Sequence, residues 1–294
     1  MKYLSGKNIE ISHDLAITIG KFDGLHKGHL ALIDKLKEVA ASYGLATAVL
    51  SFAPHPATVL TGKNVPLILS LDEKFYLLNQ LGLDYYIEYP FTNQFAQTSP
   101  EYFIENIIFQ QLQARALVIG ENFRFGKSGR GDIALAEKLG ISLGMYVHTM
   151  PLITDKTDRI SAENIRRLIF AKDFQGVMQA CGRNFFLMGN VVHGKKRGRE
   201  IGFPTANIIP HEGKILPPSG DYHTSTFVGN FEYQSITNVG ADVIETHLLD
   251  FAGNLYGQTI RVDFLHWMRE MRSFASYDEL ARQLEKDANA RRAQ

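Results

Sequence analysis

The sequence predicts an α/β protein in two parts: a doubly wound parallel sheet within residues 1–180, then a small antiparallel β-barrel with a terminal helix within residues 183–294. Three observations carry that prediction. Up to residue 150, short apolar runs alternate with amphipathic helical stretches, the pattern of parallel strands joined by crossover helices. From residue 185 the helical period gives way to closely spaced strands and turns, the pattern of a small barrel. Residues 167–182, with Gly176 and Gly182, read as the end of a helix and a short link.

Charge balance narrows the partners. The 294 residues carry 31 Lys+Arg against 31 Asp+Glu, so neither a nucleic acid nor a membrane is expected as partner, and local basic loops read as small-anion sites. A single cysteine, Cys181, excludes an internal disulfide and a thiolate metal cluster. No run approaches the ~20 apolar residues of a membrane helix, and the first residues lack the apolar core of a signal peptide. A cytoplasmic protein is expected, and a weak homo-oligomer stays open.

Residues 15–20 (LAITIG) read as a buried strand ending on glycine, and residues 30–44 as an amphipathic helix closed by Gly44. The stretch between them puts His26, Gly28 and His29 on the first helical turn, where free N–H groups and the positive dipole end favour a phosphate. His-x-Gly-His after a strand resembles the mark of nucleotidyltransferases that move AMP from ATP to an acceptor phosphate. Such in-line transfer needs charge neutralisation rather than a covalent intermediate. A lone His pair would read as structural; Gly20, Phe22, Asp23 and Gly24 in front of it favour the functional reading. Strands follow at 46–56, 85–90, 116–120 and 142–150, with helices at 72–82, opened by a Ser70/Glu73 capping box, and at 101–114, opened by Pro100. Residues 120–128 imitate a P-loop, but five residues separate the glycines where four are required, and Phe123 and Phe125 are too bulky for a phosphate cradle.

In the second half, residues 189–207 (GNVVHGKKRGREIGFPTAN) combine Gly194, Gly198 and Gly202, which let backbone amides approach an anion, with Lys195, Lys196, Arg197 and Arg199 as counter-charge. Thr205 and Asn207 are two residues apart, so in an extended chain they point the same way, an arrangement suited to Mg2+ shared with substrate phosphates. Taken alone, the stretch reads equally as a tight turn beside a solvated basic loop. Further strands are expected within 185–194, 214–240, 243–251 and 259–268. In 243–251, alternation sets Glu245 and His247 on one face and Ile244, Leu248 and Asp250 on the other. Ser276 and Glu279 form a second capping box, opening a packing helix along Tyr277, Leu280, Ala281, Leu284 and Ala288.

The run Gly202-Phe203-Pro204-Thr205-Ala206-Asn207 resembles the signature of riboflavin kinase. The Gly20-to-His29 loop resembles that of the FMN adenylyltransferase fused to it in bacterial bifunctional FAD synthetases. The resemblance covers nearly the whole chain. It implies a Rossmann-like nucleotidyltransferase domain and a Greek-key barrel closed by a C-terminal helix, with riboflavin, FMN and FAD as substrates and products, ATP as co-substrate and Mg2+ as metal. It also implies roles: Glu245 as the base for the flavin 5′-hydroxyl; Thr205 and Asn207 as metal ligands; His26, His29 and Arg166 in adenylyl transfer; Ser161 beside the phosphates. Asn122 would contact nucleotide and His55 the FMN ring, while Gly194, Gly202, Phe203 and Pro204 would border the kinase substrates. Phe264, Trp267 and Met268 read as core filling, with a flavin wall as the alternative.

Two departures stand out. The family's Ile-Ser-Ser-Thr-x-x-Arg is here Ile-Ser-Ala-Glu-Asn-Ile-Arg, with Ala162 and Glu163 in place of two hydroxyl donors. A Glu within ~4 Å of a phosphate charge costs about 4 kcal/mol at an effective dielectric of 20, unless it turns outward as a first-turn residue. The family's Arg-Pro-Thr loop is also shortened to Ala241-Asp242-Val243-Ile244 before Glu245. The leading expectation is a bifunctional enzyme. Second is a riboflavin kinase whose adenylyltransferase domain only binds FMN or nucleotide, and third a flavin sensor without either activity, against which the intact His26, His29, Thr205, Asn207 and Glu245 argue.

Overall fold

The computed structural model describes residues 1–151, 160–194, 198, 202–240 and 243–293. The chain divides into two compact units, Met1–Leu67 with Lys74–Ile160, and Ile68–Glu73 with Ser161–Gln294. Among the described residues no helix is long and apolar enough to cross a membrane.

The first unit is built on six parallel strands: β1 (Lys2–Ser5), β2 (Leu15–Ile19), β3 (Ala46–Ala53), β4 (Tyr85–Pro90), β5 (Ala114–Gly120) and β6 (Tyr146–Met150). Their order is β1-β4-β3-β2-β5-β6. Leu15 to Ile19 are all buried because a central parallel strand is covered on both faces, which is why it reads as an unbroken apolar run. Helix α1 (Lys27–Tyr43) begins at His26 and ends on Gly44, whose φ of 65° is the left-handed cap a glycine takes without strain. Helices α2 (Pro56–Thr61) and α3 (Leu71–Gln80) come next; α4 (Pro100–Tyr102) runs into a π-helical stretch, Phe103–Gln111, and α5 is Ile133–Leu143.

Several sequence expectations are corrected here. Strand β1 was not expected: at four residues it is too short to show a period, and it gains its place by pairing with β4. The strand expected at 142–150 begins only at Tyr146, because Asp132 and Gly144 cap a helix over residues 133–143 that the apolar run concealed. The helix expected through residue 114 ends at Gln111, since Gln113 adopts φ 51° and Ala114 and Arg115 already belong to β5.

The second unit opens with two helices, α6 (Ala162–Phe170) and α7 (Phe174–Cys181), where the sequence suggested one helix and a link. Lys172 in a left-handed conformation breaks the first, Asp173 accepts from Gly176 N at 2.8 Å to start the second, and Gly182 caps it. Strands β7 (Phe185–Val192), β8 (Ala206–Ile208), β9 (Gly220–Val228), β10 (Phe231–Val239), β11 (Ile244–Leu248) and β12 (Thr259–Arg269) close a barrel in the order β10-β11-β8-β7-β12-β9, and α8 is Tyr277–Arg292. The single stretch 214–240 supplies two strands, because Gly229-Asn230 makes a two-residue hairpin between Val228 and Phe231.

The capping box at Ser70 forms, with Ser70 N donating to Glu73 Oε2 at 2.8 Å, and does more than cap. Glu73 also accepts from Met188 N, and Lys214 Nζ lies 2.6 Å from it, both side chains almost wholly buried. Phe264 packs among Phe174, Phe185 and Tyr222 as core, whereas Trp267 is partly exposed under Lys172 Nζ. Asp250 does not share the inner face of β11, which ends at Leu248. It sits in a left-handed turn with its exposed carboxylate paired to Arg292. Of the residues expected to pack along α8, Ala288 is buried and Leu280, Ala281 and Leu284 half-buried, whereas Tyr277 is exposed; Asp287 and Arg291 are buried as well.

Candidate active sites

In the first unit the chain steps from β2 to β3 to β4 on one side and places β5 and β6 on the other, so β2 and β5 flank the point where strand order reverses. Open parallel sheets bind ligands at the carboxyl ends of such strands. The Gly20-to-His29 loop leaves β2, His55 follows β3, and Asn122 follows β5, so three neighbouring strand ends gather the sequence-predicted residues.

The loop after β2 is unusual backbone. Phe22, Gly24 and Leu25 have φ of 48°, 85° and 43°. Left-handed non-glycine residues cost of order 1–3 kcal/mol each, and the near-complete burial of the Phe22 and Leu25 side chains offsets that cost. The carbonyl of Lys21 accepts from Ser51 Oγ at 3.1 Å and from Lys74 Nζ at 3.4 Å. Burial pushes the buried Lys74 ammonium below its ordinary range, opposed by the charges of Asp23 and Glu88. Neither Ser51 nor Lys74 was singled out by sequence, since each sits in an ordinary strand or helix.

His26 caps α1, its Nδ1 accepting from His29 N at 3.4 Å. An imidazole that accepts at Nδ1 carries its proton on Nε2, which makes Nε2 a donor suited to a phosphate oxygen. The two imidazoles stack with centroids 3.8 Å apart, and a Cβ on Gly28 would come within 3.1 Å of the His26 ring. His55 caps α2 in the same way, accepting from Ala57 N, while Asn122 is exposed. Phe123 and Phe125 stack on one another, Phe125 against Phe103, as a strand-end turn rather than a cradle.

Ser161 and Arg166 belong to the second unit. Ser161 caps α6 through Asn164 N, Arg166 is buried, and Glu163 Oε2 lies 3.5 Å from Arg166 Nη1 with its own side chain 89% exposed.

The barrel site stands on strand faces. Register sets Glu245 of β11 directly opposite Asn207 of β8, and Asn207 opposite Val192 of β7. Asn207 Nδ2 donates to Thr205 O at 3.4 Å, which leaves its Oδ1 as an acceptor for a ligand. A Cβ on Gly194 would lie 2.5 Å from the Asn207 amide atoms, so that glycine is required for the loop to pass. The oxygens of Thr205, Asn207 and Glu245 are hard donors of the kind Mg2+ takes in small number, and the residues present fit that ion. His247, facing outward like Glu245, bonds through Nδ1 to Pro204 O at 2.8 Å and meets the Phe203 ring edge-on; burial pushes its pKa down. Beside it a groove of about 730 Å³ is lined by Phe203, Pro204, His247, Phe251, Arg282 and Arg292. Sequence reasoning missed this groove because Arg282 and Arg292 look like the solvated face of a helix. Lys195, Lys196, Arg197, Arg199, Ala241 and Asp242 lie outside the described residues.

Comparison with known proteins follows the same division. Residues 8–164 match the FAD synthetase family model and residues 181–294 the riboflavin kinase model. The bifunctional riboflavin kinase/FMN adenylyltransferase of Haemophilus influenzae is 34% identical over 95% of this chain and 93% of its own length. Its counterparts in Listeria monocytogenes and Escherichia coli are 34% and 33% identical over 94% and 92% of the chain, and 91% and 90% of their own lengths. A crystal structure from Streptococcus pneumoniae, described as a macrolide-efflux protein, shares the fold over 99% of both chains, with a TM-score of 0.88 and 27% identity. Two models that tile the chain in this order, together with relatives matched almost end to end, make it a member of the bifunctional riboflavin kinase/FMN adenylyltransferase family.

Proposed function

We propose that the chain divides the two activities of its family between a kinase domain, residues 183–294, and an adenylyltransferase domain, residues 1–180. The first converts riboflavin and ATP to FMN and ADP; the second converts FMN and ATP to FAD and pyrophosphate. The observation that carries the kinase assignment is Glu245 standing opposite Asn207 across β8 and β11.

In the kinase step Glu245 accepts the proton of the ribityl 5′-hydroxyl as that oxygen attacks the γ-phosphorus and the β–γ bond breaks to release ADP. Thr205 and the Asn207 Oδ1 would hold Mg2+, which supplies charge neutralisation on the triphosphate when bound. Phe203 and Phe251, at the lip of the groove beside His247, offer apolar surface to a flavin ring.

In adenylyl transfer an FMN phosphate oxygen attacks the α-phosphorus of ATP and pyrophosphate leaves. His26, through Nε2–H, and His29 stabilise the phosphoryl oxygens at the α1 N-terminus, with Gly20, Gly24 and Gly28 keeping the approach open. Asn122 and His55, from the adjacent strand ends, contact nucleotide and flavin. Glu163 lies 3.5 Å from Arg166 Nη1 but is 89% exposed, and screening of so exposed a carboxylate by water supports a working site over the kinase-only alternative. The substrates are small molecules, with no nucleic-acid or membrane partner, and a cytoplasmic location fits them.

The test is to incubate the purified chain with riboflavin, ATP and Mg2+ and follow the flavins by chromatography. FMN followed by FAD is expected; FMN accumulating without FAD would sink the adenylyltransferase half, and no FMN the kinase half.

A further inference from the structure

Glu245 belongs to a longer row. Around the outer face of the barrel the strand register aligns Asn207, Glu245, Asn238, Asp221 and Arg269, on β8, β11, β10, β9 and β12. From Asn238 onward the row is bonded side chain to side chain. Asn238 Nδ2 donates to Asp221 Oδ1 at 2.8 Å, and Arg269 Nη1 lies 2.7 Å from Asp221 Oδ2. Arg269 Nη2 donates to Asp287 Oδ2 of α8 at 2.7 Å, and Gln283 donates to the other Asp287 oxygen. Asp221 and Asp287 are 7% and 5% exposed.

Building on the assignment of Glu245 as base, we propose that Asn238 is a positioning residue for phosphoryl transfer, restraining the Glu245 carboxylate, and that Asp221, Arg269 and Asp287 fix Asn238 in turn.

The chemistry and geometry of the row support this. A carboxylate can only accept, so the bond to Asp221 settles which atom of Asn238 is the nitrogen and leaves its second N–H for another acceptor. Residues paired across an antiparallel ladder have Cβ atoms about 4.5–5.5 Å apart on one face, within reach of an amide N–H and a glutamate. Glu245 is half-buried on a flexible stem, and a reacting group displaced by about 1 Å loses on the order of a hundredfold in rate, so a base of this kind needs a neighbour that holds it. Arg269 is suited to the outer end of the row because a planar guanidinium orients two carboxylates at once, where a lysine would serve only as a point charge. The row also ends on α8, which lines the groove through Arg282, Glu285 and Ala288, so the helix walling the proposed flavin site is bonded through Arg269 and Asp221 to Asn238, the residue that register sets opposite the base.

The test is steady-state riboflavin phosphorylation by the full chain. Asn238→Ala is expected to lower kcat about tenfold or more while KM for riboflavin and for ATP stays within about twofold, since positioning acts on the reacting geometry. Arg269→Lys is expected to fall in the same direction by a smaller factor. FAD formation from supplied FMN in the same samples checks that the chain is folded. In a Glu245→Gln background, Asn238→Ala should add no further loss, because residues acting as a unit are not additive. An unchanged kcat in Asn238→Ala, or a further tenfold loss on top of Glu245→Gln, overturns the proposal. Wild-type kcat in Glu245→Gln alone is a different result, which removes the base assignment itself and the row's role with it. Should Asn238→Ala fail to fold, Asp221→Asn, which keeps the volume and removes the anchoring charge, carries the same prediction.

Discussion

In the parallel-sheet unit the candidate catalytic groups hang on loops that leave strand ends, while in the barrel they stand on the strands themselves. His26 and His29 are placed by three left-handed residues, held by the burial of Phe22 and Leu25 and by the bonds that Ser51 and Lys74 make to Lys21 O. Glu245, Asn207 and Asn238 are brought together by strand register, with Asn238 held further by its bond to Asp221. The cores differ in the same sense. Beneath the loops lie Leu15, Ile17, Ile19, Leu50, Ile87, Leu117 and Ile119, a wholly apolar packing. Inside the barrel, Thr224, Ser235, Thr226, Thr246 and Thr237 close a ring of hydroxyls, each bonded to two others at 2.7 to 3.3 Å and all fully buried or nearly so. A loop site can change residue by residue, whereas a site written in register depends on whatever keeps the strands from slipping. Directional bonds across β9, β10 and β11 serve that purpose where apolar contacts would tolerate a shift.

The comparison can be broken in four places. The largest effect is expected at Glu245→Gln, which should lower riboflavin phosphorylation by about 10²–10⁴-fold and leave FAD formation from supplied FMN intact, measured by chromatography. Next, His29→Ala should lower FAD formation by about 10²–10³-fold and spare FMN formation; parallel loss of both steps would contradict separate sites. A near-isosteric exchange then tests the cores. Thr237→Val leaves Thr224 and Thr246 each short of a partner and should destabilise the barrel by about 1–3 kcal/mol. Thr18→Val in β2 removes a buried hydroxyl that has no partner among the described residues, and should be neutral or stabilising by about 1 kcal/mol. Thermal or urea melts of both variants that moved together would erase the distinction. The smallest effect is expected at Glu163→Gln, which should change FAD formation by less than about twofold, because an exposed carboxylate beside Arg166 is screened by water.

Much of this was legible before any coordinates. Strand β2, helix α1 with its Gly44 cap, the Ser70/Glu73 and Ser276/Glu279 capping boxes, and the outward pairing of Glu245 with His247 follow from local periods and local hydrogen bonds, which sequence spacing records directly. Short or masked elements escaped: β1 at four residues, α5 within an apolar run, and the break between α6 and α7 made by Lys172 rather than by a glycine.

What sequence by itself determined, then, is the succession of a parallel-sheet unit and a barrel, and a set of candidate groups for phosphate chemistry, because hydrophobic period and side-chain chemistry are local properties. What only the tertiary structure decided is who stands beside whom. The inward run Thr224, Thr226, Ser235, Thr237 and Thr246 has no apolar alternation to announce it, and the line from Asn207 through Glu245 and Asn238 to Arg269 joins residues up to 62 positions apart. Those neighbours exist only once the barrel has closed, since strand pairing is a long-range choice that no stretch of the chain makes alone.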